Sequence, residues 1–216
     1  ISHRSLVPDY AVLEPSVLRT LPVYQKKCTL LDALCQAIES WWSVNSTDES
    51  KKFSVKAIEK IKTNWEEYIF ENTNNSAVEI MEAANYAGKA INITATTAAH
   101  AMSYKITSMF GFPHGHAVAI CMLEVWEYML GHTDECIDSR GADYLRKVLC
   151  EISEKIDLAY FKNMLRWLEM PYPESECKET DLDILAASVN PMRLKNNPVA
   201  LSTDVLKEMY GRIIYG

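Results

Sequence analysis

Apolar positions recur at helical spacing along most of the chain, and nowhere do they alternate for long enough to suggest a strand. Leu31, Leu34, Ala37, Ile38 and Trp41 define one apolar stripe, which predicts a helix from about Leu30 to Trp42 with Thr29 as its N-cap. A second, longer helix is expected from Ser50 to Glu71, with Val55, Ile58, Ile61, Trp65 and Ile69 inward and the charges between them on a solvated face. The polar run 72–76 reads as a loop. A helix over 77–93 follows, and its small residues Ala83, Ala84, Ala87, Gly88 and Ala90 would let a neighbour come close, so it is expected to be central. A polar kink at 94–97 separates it from helices over 97–109 and 113–130, the latter ended by Gly131. Two more are expected over 139–150 and 154–169, then a loop at 171–175, a helix at 181–188, a turn at 196–198 and a last helix from 202 to about 215. Residues 1–28 read as an extended connector with one short turn from Glu14 to Thr20. The pattern predicts one all-α helical bundle over residues 1–216, with a short extended N-terminal connector.

Composition narrows this picture without redirecting it. The chain has 216 residues, 48% of them hydrophobic and 24% charged, which is ordinary for a soluble globular domain. The formal net charge of −7, with no Lys/Arg cluster to offset it, argues against a nucleic-acid partner. No run of 18 apolar residues predicts a membrane span, and no signal peptide is visible. Six cysteines without a Cys-x-x-Cys spacing read as free, mostly buried thiols, as in a reducing cytoplasm.

Candidate chemistry concentrates in one stretch. Three of the five histidines, His100, His114 and His116, fall within 17 residues. Gly111-Phe112-Pro113 interrupts the helix that carries His100, because Pro disfavours helix in the residue before it and lacks an N–H to donate. A helix–bend–helix then brings His100 and His114 back toward one point. Upstream, Asp32 sits inside an otherwise apolar helix with Gln36 four residues on, so both project from the same face. A buried Asp is costly unless paired or metal-bound. One carboxylate and two imidazoles form a plausible donor set for zinc or ferrous iron. The rival reading makes each His a hydrogen-bonded core residue.

These residues carry a resemblance. Asp32-Ala33-Leu34 with Ala37-Ile38-Glu39, then His100-Ala101-Met102-Ser103, then Pro113-His114-Gly115 resemble the C-terminal half of the iron-containing alcohol dehydrogenases, which are related to the dehydroquinate synthases. Leu6 to Pro15 followed by Leu21-Pro22 resembles the segment that precedes this helix in that family. The resemblance implies the helical metal-binding domain, one divalent metal (Fe²⁺ or Zn²⁺) and reduction of a small aldehyde to an alcohol. NAD(P)H would be held mainly by an N-terminal nucleotide-binding domain that has no counterpart in this chain. The resemblance further implies metal binding through Asp32, His100 and His114, with Gln36, which stands where the family has His, as a weaker fourth ligand through its amide oxygen, and with Tyr104 standing where the family has its other His. Loss of the metal is therefore the competing outcome. Tyr104 or His116 would return the proton to the product oxygen.

A narrower resemblance rests on residues 39–47, 88–94, 113–117 and 193–198, which look like the phosphonoacetaldehyde reductase branch. It implies a phosphonate substrate met by cations, for which Lys89, Lys105, Arg193 and Lys195 are the candidates. Further alternatives are a dehydroquinate-synthase-like or polyol dehydrogenase activity, and a metal-free helical interaction domain. A cytoplasmic protein acting on a small molecule, without nucleic acid or membrane, is expected; homodimerisation is left open. The chain reads as incomplete for the whole reaction, since it contains no Gly-x-Gly-x-x-Gly.

Overall fold

The structure is a computed structural model and describes residues 7–173 and 179–215. Among the described residues there is no strand; the sole β contact is an isolated antiparallel bridge between Cys136 and Val199. A 3₁₀ turn at Pro15–Thr20 leads into α1 (Val23–Trp42), followed by α2 (Asp48–Glu66), α3 (Asn74–Thr94), α4 (Ala98–Phe110) and α5 (His114–Gly131). Then come α6 (Ala142–Lys155), α7 (Leu158–Trp167), α8 (Glu179–Ala187), the single turn α9 (Pro191–Leu194) and α10 (Thr203–Tyr215). The all-α expectation is met. No helix among the described residues is long and apolar enough to cross a membrane.

Helix α1 is the axis of the bundle and packs against α2, α3, α5 and α6. Thirteen of its twenty residues are buried, against seven of twenty-one in α3, so α1 rather than the small-residue helix holds the centre. Ala84 is exposed, and only Ala83, Ala87 and Ala90 of that small-residue set are buried. Helix α1 also starts earlier than its apolar stripe suggests. The turns before Leu30 are polar in sequence, yet Lys26 is buried, with its ammonium donating to Asn72 Oδ1 and lying over the Tyr68 ring. Thr29 is thus not an N-cap: its hydroxyl donates back to the Gln25 and Lys26 carbonyls one turn earlier. The connector expected to reach residue 28 ends at Pro22.

Caps set the other boundaries. Thr47 and Ser50 form a reciprocal capping box at the start of α2. That helix widens into a π turn at Glu67–Glu71, stopped by Asn72 in the left-handed region at φ 55°. The expected five-residue loop shrinks accordingly, because Thr73 already caps α3 by accepting from Ser76 N. Asp157 caps α7 in the same way, accepting from Tyr160 N, and moves the predicted 150–154 break to Ile156–Asp157. Cys28, Cys35 and Cys121 are buried free thiols, while Cys150 is exposed. Cys177 and residues 1–6 and 174–175 lie outside the described residues.

Two backbone features place the functional stretch. Ala95 (φ 56°, ψ 174°) turns the chain sharply between α3 and α4. Gly111 (φ 73°) ends α4, and Pro113 precedes the first residue of α5, so α4 and α5 pack as a hairpin beside α1. At Gly115 the α5 backbone lies against α1, where an added Cβ would sit 2.0 Å from the Cys28 carbonyl oxygen. Only glycine permits that approach.

Candidate metal centre

Asp32 from α1, His100 from α4 and His114 from α5 converge. One donor atom from each lies within 4.8 Å of the other two. His100 Nε2 is 3.3 Å from Asp32 Oδ1, and His114 Nε2 is 3.8 Å from the same oxygen. The two rings meet edge-on with centroids 5.4 Å apart.

The partners of each donor fix which atom faces the centre. Buried Glu39, seven residues beyond Asp32 on the same side of α1, accepts from His100 Nδ1. Its other oxygen accepts from the His100 backbone N–H (3.3 Å) and the Thr97 hydroxyl (2.8 Å), and Thr97 Oγ1 accepts from Trp42 Nε1 (3.0 Å). Glu39 therefore caps the first turn of α4 from outside, where no side chain of α4 itself does so. With Nδ1 donating, the His100 lone pair is on Nε2. The Ser103 hydroxyl donates to the His100 carbonyl (2.9 Å), so its oxygen accepts from His114 Nδ1 (3.4 Å) and that ring too presents Nε2. Gln36, expected as a weaker ligand, instead turns its amide nitrogen to Asp32 and donates to Oδ2 (2.8 Å), which leaves Oδ1 toward the histidines.

Asp32 Oδ1 and His100 Nε2 are both buried and neither has a hydrogen-bond partner. Orphaned buried lone pairs of this kind are rare and call for a cation or a proton. Burial disfavours the His100 imidazolium, yet Glu39 and Asp32 outweigh it and push its pKa up to about 9. Burial would likewise raise the Glu39 carboxyl, but His100 and Thr97 hold it below the usual carboxylate range. His114 is pushed down, first by burial and then by the neighbouring His100 charge, against the pull of Asp32. A divalent cation fits this position, with one carboxylate O and two imidazole N as its donor set.

The remaining predicted residues divide. Tyr104 is half-exposed and stacks on His114 (5.5 Å between centroids), and Arg193 covers the Tyr104 ring at 4.9 Å. Arg193 arrives because α9 packs on α4. His116 is not in the cluster. Its Nε2–H donates to the Pro171 carbonyl (2.7 Å), its Nδ1 accepts from Tyr24 (2.8 Å), and Phe112 stacks on it. With both nitrogens committed it has no free site for proton return. Lys89 is also elsewhere: it is exposed over the Phe53 and Tyr86 rings, because Ala83, Ala87 and Ala90 take the inward face of α3. Lys105 projects about 140° around α4 from His100, and Lys195 is exposed beyond α9. Sequence reading missed Ser103 and the Thr97–Trp42 pair. Only Glu39, seven residues after Asp32, carried a periodic signal.

The C-terminal model of the Fe-containing alcohol dehydrogenase family matches residues 27–214. The chain belongs to the iron-containing alcohol dehydrogenase family. Among curated relatives, the phosphonoacetaldehyde reductase of Streptomyces viridochromogenes is 32% identical over 147 residues, covering 66% of this chain and 36% of the relative. The 4-hydroxybutyrate dehydrogenase of Clostridium kluyveri is 34% identical over 131 residues, 59% of this chain and 35% of the relative. The aligned segments thus cover about a third of the length of these two relatives. An iron-containing alcohol dehydrogenase from Thermococcus thioreducens shares the fold with a TM-score of 0.88 at 22% identity, covering 100% of this chain and 57% of that one. A sulfoacetaldehyde reductase from Bifidobacterium kashiwanohense, solved in complex with NAD⁺, gives 0.86 at 20% identity, with 99% and 56% covered.

Proposed function

We propose that this chain supplies the metal- and substrate-binding half of a reductase that converts a small anionic aldehyde, such as phosphonoacetaldehyde, to its alcohol. The observation that carries the reading is the pair of buried, partnerless atoms Asp32 Oδ1 and His100 Nε2 with His114 Nε2 beside them. Asp32, His100 and His114 would hold the cation. When bound, a divalent metal there supplies Lewis acidity toward a carbonyl oxygen, and NAD(P)H supplies the hydride.

The chain's own groups prepare that chemistry. Gln36 fixes the Asp32 carboxylate, Glu39 fixes the His100 ring and Ser103 fixes the His114 ring, so the donors are preorganised. Arg193, beside Tyr104 and His114, is the cation placed to take the phosphonate or a similar anionic end. Tyr104 is the remaining nearby carrier for the proton that completes the alcohol, since His116 is committed elsewhere. The dinucleotide has no evident seat of its own among the described residues, which contain neither a sheet nor a glycine-rich phosphate loop.

Metal titration of the purified chain tests the proposal. About one Zn²⁺ or Fe²⁺ per chain is expected, with binding lost in Asp32→Asn and His100→Ala. Less than about 0.1 metal per chain, unrecovered by added ion, defeats it in favour of the metal-free helical module.

A further inference from the structure

Thr97 stands at the N-cap position of α4 and does not cap it. Its carbonyl accepts the first helical bond, from Ala101 N (3.2 Å), but its hydroxyl accepts from no N–H of that helix. An N-cap threonine ordinarily takes the N–H two or three residues on. Here the N–H three residues on belongs to His100 and is taken by Glu39 Oε1. The hydroxyl is therefore engaged elsewhere. The Trp42 indole can only donate, so at 3.0 Å it makes Thr97 Oγ1 the acceptor. The single hydroxyl hydrogen then goes to Glu39 Oε1 at 2.8 Å. Glu39 and Trp42 are three residues apart on α1 and share a face, and the hydroxyl bridges them. Trp42, Glu39 and Thr97 are each no more than 1% exposed, so bulk water does not reach the three groups.

Among the described residues the Glu39 carboxylate has three donors. Two belong to His100 itself, the backbone N–H on Oε1 and the ring Nδ1–H on Oε2. A carboxylate held by these two alone is free to swing about the line that joins them. The Thr97 hydroxyl is the one donor from a different residue, and it sets the plane in which Oε2 meets the ring. We infer that Thr97, with its hydroxyl aimed by Trp42, is a positioning residue for the metal centre: it acts through Glu39 to hold the His100 ring with Nε2 toward Asp32 and His114. Ring orientation matters to a cation only if Asp32, His100 and His114 are the metal centre proposed above, and on that reading this role rests. Partners of this outer kind commonly tune metal affinity by about tenfold or more.

The test uses the full chain, with Zn²⁺ as the probe in competition with a chelating dye and the His100 Nδ1–H proton as a second readout. That proton lies between two buried groups, so it exchanges slowly and gives a downfield signal, assigned by its loss in His100→Asn. Thr97→Val keeps the shape of the side chain and removes the hydroxyl. It is expected to weaken Zn²⁺ binding by about tenfold and to broaden or abolish the Nδ1–H signal of the metal-free chain. Thr97→Ser returns a hydroxyl and should restore both. Trp42→Phe keeps a ring against Trp126 (5.8 Å between centroids) and removes only the group that aims the hydroxyl, so its effect should fall between the two. Ile152→Val, on the buried face of α6, is the control for a general loss of packing and should leave both readouts at the parental value. The role is overturned if Thr97→Val binds Zn²⁺ within about twofold of the parent or keeps the Nδ1–H signal at its parental width. It is equally overturned if Thr97→Ser fails to restore them, or if Ile152→Val moves them as much. A Trp42→Phe chain that matches the parent removes Trp42 from the role. A parent chain that binds no Zn²⁺ overturns the metal reading and this role with it, whereas a parent that binds Zn²⁺ as tightly as Thr97→Val does overturns the role alone.

Discussion

Replacing Gly115 by alanine should damage the metal centre through one helix contact. The new Cβ would lie 2.0 Å from the Cys28 carbonyl oxygen, 2.8 Å from Asp32 Cβ and 2.9 Å from the Cys28 carbonyl carbon. Ordinary contact begins near 3.4 Å, so α5 must withdraw from α1 by roughly 1.4 Å, the difference 3.4 − 2.0. Overpacking of this kind typically costs about 1–3 kcal/mol, and a collision with backbone belongs at the upper end. His114 adjoins Gly115 and Asp32 is on the other side of the contact. A withdrawal along their separation carries the 3.8 Å distance from His114 Nε2 to Asp32 Oδ1 toward roughly 5 Å. Two donors each about 2.1 Å from one cation are at most about 4.2 Å apart. The variant should therefore lose metal affinity out of proportion to its stability, by about 100-fold or more. Urea unfolding and Zn²⁺ titration measure the two effects separately. Gly88→Ala is the control, because its Cβ meets nothing within 4 Å, and in mid-α3 it should stabilise by up to about 1 kcal/mol. A Gly115→Ala protein within about 0.5 kcal/mol of the parent and with unchanged Zn²⁺ affinity would refute the close-approach reasoning.

Four further outcomes are expected. Ala95 occupies a region essentially reserved for glycine, so Ala95→Gly should raise stability by about 1 kcal/mol in denaturant titration; a loss would mean the turn is not strained. Glu39→Gln should lower metal affinity about 10–100-fold, as read by competition with a chelating dye, because the ring it steadies loses its anionic acceptor. Arg193→Gln should raise KM for phosphonate- or carboxylate-bearing aldehydes while leaving neutral ones unchanged, and an equal change for both would remove Arg193 from substrate recognition. Asp138 is nearly buried, and burial would raise its carboxyl, but hydrogen bonds from Arg140 outweigh that and hold it below the usual carboxylate range. Its contribution is present above the unfolded pKa of about 3.9 and is lost as pH falls through the lower folded value. Asp138→Asn should thus destabilise by about 2 kcal/mol at pH 7 and progressively less in acid; a difference that is constant between pH 7 and 3 would contradict this.

The helical architecture was legible because apolar periodicity is strong through α2, α6 and α7, while α5 is apolar nearly all round over a length only a helix would take. It failed at the start of α1, where Lys26 is buried through its stem and a polar-looking turn belongs to the helix. Asp32, His100 and His114 could be seen to converge because an acid on an apolar face and two histidines flanking a Gly-x-Pro bend are local signals. Where His116 and Lys89 would point was not legible. His116 is captured by Tyr24 and Pro171, residues 92 and 55 positions away, and no periodicity reports such partners. The Trp42–Thr97–Glu39 chain spans two helices and was hidden for the same reason.

One carboxylate, Glu39, both closes the opening turn of α4 and steadies the imidazole that follows it. Taking that carboxylate away therefore loosens the turn and frees the ring together. Lesions here will surface as poor expression as readily as lost turnover. A screen that rewards only robustness would keep this corner intact without ever assaying what it does.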